Sequence, residues 1–210
     1  MVAAIGPAIY LLCYIYKQDK IEKEPTKMLV QLFFLGCLAG VIACVLEEIG
    51  TVVLNKFVDP NSPAGEIMMA FFIVAVAEEG AKFLLLKKRT WKDPNFNFRF
   101  DGVVYAVFVS LGFAAFENIG YVFSFGLSVT IPRALLAIPA HMGFAVFMGA
   151  FYGRAKFCET KGDNTGKTLN LIIGYLMAVL LHGFYDATAM LQTGLSMLLY
   201  LIFVIAMYII

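Results

Sequence analysis

The chain has 210 residues and a formal net charge of +1, with 61% hydrophobic residues, only 15% charged ones and a mean hydropathy of +0.82. A soluble domain carries about 25% charged residues and at most about half apolar ones, so this composition excludes an ordinary water-soluble fold and predicts an all-α, polytopic membrane helical bundle. The near-zero charge gives no footprint for a nucleic-acid partner. The four cysteines give no disulfide framework, since Cys37 and Cys44 lie seven apart on one expected helix, too far for a bridge.

Apolar runs of membrane length fall, in chain order, at 2–16, 28–54, 65–86, 102–126, 132–153, 169–191 and 194–210. A span needs about 20 residues, so the first and last are short and must tilt little or continue in the interface. The first run has no basic segment before it and no small-x-small site after it, and reads as a helix rather than a cleaved signal. The pattern predicts about seven transmembrane helices in a single domain over residues 1–210.

The connections separate by charge. Lys17, Lys20, Lys23 and Lys27 follow the first run, Lys87, Lys88, Arg89, Lys92 and Arg99 the third, and Arg154, Lys156, Lys161 and Lys167 the fifth. The intervening connections hold only Lys56 and Arg133. By the positive-inside rule the basic loops are cytoplasmic, with the N-terminus outside and the C-terminus inside. Asp59-Pro60-Asn61-Ser62-Pro63 reads as a turn, Asp101 as a cap, and Pro132 as the first turn of the fifth helix. Gly36/Gly40 and Gly149/Gly153 have the spacing of close helix packing. Glu47 and Glu48, near the outer end of the second run, read as solvated interface.

Glu78, Glu79 and Lys82 interrupt the third run, while Glu117, His141 and His182 lie inside later ones, the last two being the only histidines. An ionisable group at bilayer depth costs at least a few kcal/mol on insertion scales and therefore marks a site. A rise of about 1.5 Å per residue, counted from the cytoplasmic ends, puts Glu78, Glu117, His141 and His182 between roughly 13 and 23 Å deep in a core about 30 Å thick. Helices of opposite direction had no need to agree so well, and the agreement predicts one shared site. Lys82, Tyr121 and Asp186 each stand four residues after Glu78, Glu117 and His182 respectively, on the same helix face. Pro139 cannot donate to the carbonyl of Leu135, which predicts a bend beside His141.

These groups suit hydrolysis, which needs an activated water, a base and oxyanion stabilisation. Two imidazoles and a carboxylate form a catalytic zinc set, and His141, His182 and Glu117 can fill it, with Glu78, Glu79 and Lys82 as catalytic groups and Tyr121 and Asp186 in support. Without metal, a glutamate and a histidine can hold the water between them. No Gly-x-Ser-x-Gly and no His-Glu-x-x-His occurs, and only Asp186 offers an aspartate within a span, which disfavours serine, soluble-zincin and aspartyl-dyad mechanisms. An ion-coupled transporter with a Glu/His proton relay is the main rival, and a non-catalytic membrane scaffold the second.

The ordered motifs also carry a resemblance. Glu78-Glu79-x-x-Lys82, Arg99-Phe100-Asp101-Gly102-Val103-Val104-Tyr105, Phe116-Glu117-Asn118-x-x-Tyr121, His141 and His182-Gly183-Phe184-Tyr185-Asp186 together resemble the PrsW family over residues 70–190. These are bacterial intramembrane proteases, distant relatives of the CAAX prenyl endopeptidases. The resemblance implies a helical bundle in the bacterial plasma membrane and water activation by the first glutamate with a histidine, here Glu78 with His141 or His182. It further implies a membrane-anchored substrate, an anti-sigma factor, cut just outside the membrane to start a stress response. The prenyl endopeptidases carry a histidine where this chain has Glu117, a departure that favours a metal site here.

Overall fold

A computed structural model describes residues 2–209, with side chains from residue 5 onward. The described residues form helices α1 (Val2–Gln18), α2 (Thr26–Leu54), α3 (Pro63–Met68), α4 (Val76–Thr90), α5 (Arg99–Phe125), α6 (Thr130–Leu135), α7 (Ala137–Thr160), α8 (Asn164–Met190) and α9 (Gly194–Ile209). A π-helical segment, Met69–Ala75, joins α3 to α4 without a break. Thr26–Leu54, Arg99–Phe125, Leu127–Thr160 and Asn164–Met190 are long and apolar enough to cross a membrane, and α9 is a shorter apolar helix. Each of the seven expected runs becomes one helical stretch, two of them subdivided.

The boundaries have local causes. Ser62 accepts from the Gly65 amide at 3.0 Å and Asp163 from the Gly166 amide at 2.8 Å, starting α3 and α8. Asp101 takes the Phe98 and Asn97 amides at 2.7 and 3.0 Å, the cap expected of it. Gly126, with φ at 78°, ends α5 in a conformation that a side chain disfavours. The fifth run departs from expectation. It is interrupted at Leu136 between α6 and α7, upstream of Pro139, and Pro132 lies inside α6 rather than opening the long helix. The cause is the missing amide of Pro139: the Leu135 carbonyl it would have met accepts instead from the Tyr208 hydroxyl of α9.

Helix α5 is the hub, with 83% of its most apolar window buried against 33% for α2 and α8, and it packs on α1, α2 and α7. Contact is close enough that small residues are required. A Cβ at Gly36 would meet the Val109 carbonyl, and Gly102 of α5 lies against Gly149 and Gly153 of α7. The remaining helices close a ring: α7 packs on α8, α8 on the π-helical segment, and that segment on α2. The basic connections gather at one end. There Asn97 reaches Glu22 at 3.1 Å, Trp91 reaches Glu159 at 3.1 Å, and Arg99 stacks over Phe157.

Candidate active site

The ring encloses a buried polar cluster. Glu78, Glu79, Lys82, His141 and His182 are between 1% and 4% exposed, which at this depth demands full internal pairing. The structure supplies it. Lys82 Nζ donates to Glu79 Oε1 at 2.7 Å and Glu78 Oε2 at 3.2 Å, and lies 3.3 Å from His141 Nδ1 and 3.9 Å from the centre of the Phe113 ring. His182 Nδ1 stands 2.9 Å from Glu79 Oε1 and 3.8 Å from Glu78 Oε2. Lys82 thus points into the site rather than along the helix toward solvent.

Three features of the chain place these groups. The π-helical segment ends at Ala75, and its wider turn sets the rotation of α4 as a whole relative to α3, turning the face that carries Glu78, Glu79 and Lys82 toward the centre. Gly183 admits the Phe71 ring beside His182, where any side chain would collide with it. Phe144 stacks on the His182 ring at 5.0 Å, and Ser110 donates to the His141 carbonyl at 2.9 Å, fixing the two imidazoles almost perpendicular at 86°.

Both histidines turn Nδ1 inward and Nε2 toward a carboxylate. His141 Nε2 lies 3.1 Å from Glu117 Oε2, and His182 Nε2 lies 3.2 Å from Asp186 Oδ2. Because Lys82 donates to His141 Nδ1, the proton of that neutral ring sits on Nε2 and is donated to Glu117. Glu117 also accepts from Arg133 at 2.5 Å, while Arg133 Nε donates to Asn118 at 2.9 Å and the guanidinium lies 3.7 Å over the Tyr121 ring.

Glu78, Glu79, His141 and His182 each offer a ligand atom, and those atoms lie within 4.8 Å of one another. Two carboxylates and two imidazoles, all buried, with each histidine held from behind by a further carboxylate, are a donor set suited to zinc. Glu117, expected to share a metal with the histidines, lies outside this group. Its carboxylate is taken by Arg133 and by the far nitrogen of His141. Lys82 Nζ occupies the place among the donors where an ion would sit, so a bound metal and the ammonium cannot share it.

A cavity of about 380 Å³ reaches this cluster, lined among others by Glu78, Glu117, His141, His182, Asp186 and Arg133. Its wall includes Glu47, Tyr121, Met190 and Tyr200, which belong to the end of the bundle away from the basic loops. Arg133, expected in a connection, and Glu47, expected at the solvated interface, both line the cavity instead. Arg133 is the only Lys or Arg between residues 100 and 153, at a place that reads as an outer connection. Glu47 continues the inward stripe Gly36, Gly40, Ala43 by helical spacing, a signal masked by its neighbour Glu48.

Comparison with known proteins agrees with this arrangement. The profile of the PrsW family intramembrane metalloproteases matches residues 24–210. Protease PrsW of Clostridioides difficile is 33% identical over 209 residues, covering 98% of this chain and 85% of that protein. Protease PrsW of Bacillus subtilis is 34% identical over 184 residues, covering 88% and 79%, and that of Geobacillus kaustophilus is 35% identical over 188, covering 88% and 76%. No solved structure matches the chain. The chain belongs to the PrsW family: it is an intramembrane protease, a hydrolase acting on protein in a membrane setting, rather than a carrier or a scaffold.

Proposed function

We propose that this PrsW-family protease hydrolyses a peptide bond of a single-span protein near the extracytoplasmic face of the bacterial cell membrane, with its own N-terminus outside and its C-terminus in the cytoplasm. The observation that carries the proposal is the meeting of Glu78, Glu79, His141 and His182 at the foot of a cavity whose outer wall lies away from the basic loops. A substrate segment unwound at the outer surface can enter such a cavity, and the water that hydrolysis consumes can follow it.

Of the two adjacent glutamates, Glu78 lines the cavity, whereas Glu79 is 1% exposed and already engaged by Lys82 and His182. Glu78 is therefore the general base, taking a proton from the attacking water and returning it to the leaving amine. Glu79 with the Nδ1 atoms of His141 and His182 would hold zinc, which when bound polarises the scissile carbonyl and lowers the pKa of its water. Glu117 and Asp186 hold the outer nitrogens of the two rings and so fix their orientation. Tyr121 braces Arg133, which in turn restrains Glu117. Lys82 keeps the paired carboxylates neutralised until metal enters. A membrane-anchored anti-sigma factor, the substrate that the family resemblance implies, meets the requirement for a single span with an outer flank.

The test is cleavage of a single-span reporter in proteoliposomes, with and without a chelator. Loss of cleavage in Glu78→Gln, with wild-type folding retained, is expected. Undiminished cleavage in that variant contradicts the assignment.

A further inference from the structure

The charged side chains of the cavity wall are paired, with one exception. Glu78 has Lys82 at 3.2 Å, Glu117 has Arg133 at 2.5 Å, and Asp186 faces His182 at 3.2 Å. Glu47 has no hydrogen bond and no ion pair among the described residues. It is set apart from Glu48, which is exposed, because it shares the inner face of α2 with Gly36, Gly40 and Ala43. Gly40 also lines the cavity, and the Phe116 ring packs against it. Arg133, the one Arg or Lys side chain in the wall among the described residues, cannot serve as the partner of Glu47, being held by Glu117, Asn118 and the Tyr121 ring.

We propose that Glu47 forms a subsite for a lysine or arginine side chain of the substrate, placed on the outer flank of the cleaved segment. The inference rests on the reading of this cavity as the proteolytic site. A lone carboxylate within a spanning helix is tolerable while water fills the cavity, and costly once an entering chain displaces that water. A neutral residue at this point leaves the carboxylate dry and unpaired, an acidic one adds repulsion, and a cationic one satisfies it. The selection is sharp in practice because the outer flanks of membrane helices are poor in Lys and Arg. A protease that demands one there passes over most single-span proteins.

The test uses single-span helices with a randomised outer juxtamembrane segment, expressed with the full-length protease and sequenced after cleavage. For the wild type, Lys and Arg are expected at one fixed offset from the cut, enriched at least roughly tenfold over Gln. Glu47→Gln should abolish that enrichment and cut neutral sequences faster than the wild type does, because the carboxylate they leave unpaired is gone. Glu47→Lys should turn the preference toward Asp and Glu. An unaltered Lys/Arg profile in both variants, or no such profile in the wild type, overturns the subsite. So does an equal loss of cleavage for all sequences in Glu47→Gln, which would make the residue structural or catalytic. Glu78→Gln, run in parallel, separates the two ideas. Cutting by that variant removes the proteolytic reading, while its silence beside an unselective wild type removes only the subsite.

Discussion

Two pairs of adjacent glutamates lie in the helices of the bundle, and they have opposite fates. Glu78 and Glu79 are both buried and share Lys82, and Glu79 also meets His182, so that neither carboxylate is left bare. Glu47 and Glu48 have no such partners: one borders the cavity and the other faces outward. The difference lies in the partners. Successive residues diverge by about 100° in both α4 and α2, but Lys82 reaches both members of the first pair and His182 meets Glu79, whereas no cation pairs with Glu47 or Glu48 among the described residues. A glutamate pair buried in such a bundle thus depends on a cation within reach of both members.

The contrast can be broken first at Glu78. Replacement by Gln is expected to reduce cleavage by about 10²–10⁴-fold, the range for losing a general base, while Glu48→Gln leaves it within about twofold. Comparable losses in the two would erase the distinction. Removing the shared cation comes next. Lys82→Met strands two buried carboxylates and should destabilise metal-free protein by about 3–5 kcal/mol. Zinc should recover that loss, so that thermal unfolding of the variant depends more strongly on added metal than that of the wild type. Arg133→Gln releases Glu117 and through it His141. A fall of about 10–100-fold in metal affinity or turnover is expected, as for other groups that orient a ligand from behind.

The smallest effect concerns a glutamate at the basic end. Glu24, in the connection between α1 and α2, is 4% exposed and accepts from the Tyr105 hydroxyl at 2.6 Å. Burial raises its carboxyl from 4.5 to about 7, with Asp101, Asp19 and Glu22 adding repulsion against the hydroxyl's opposite pull. The folded chain therefore keeps a proton that the unfolded chain loses above 4.5. Its contribution to stability is full below that value, declines as pH rises toward 7, and then stays flat. Glu24→Gln should remove that decline from unfolding midpoints measured between pH 4 and 8, without altering cleavage.

Much of this was legible in the sequence, because in a bilayer hydropathy and charge speak almost directly. The seven helical stretches followed from apolar length, and the meeting of Glu78, Glu117, His141 and His182 from equal depth on unrelated helices. What depth cannot give is rotation about a helix axis. Glu117 has the right depth, yet Arg133 holds it on the outer side of His141, while Glu79 joins the inner group because Lys82 and His182 both reach its carboxylate. Pro139 signalled a disturbance, but the break fell at Leu136, since the Tyr208 hydroxyl from a distant helix took the freed carbonyl. Arg133 was hidden by its position at the outer end of an apolar run, where a lone base reads as loop.

The most direct test of the proposed centre is the zinc content of purified protein, measured by elemental analysis for the wild type, His141→Ala, His182→Ala, Glu79→Gln and Glu117→Gln. The account predicts about one zinc per chain in the wild type and, at saturating zinc, in Glu117→Gln, with loss in the other three. Zinc retained in His182→Ala or Glu79→Gln but lost in Glu117→Gln would contradict it, and would return Glu117 to the metal.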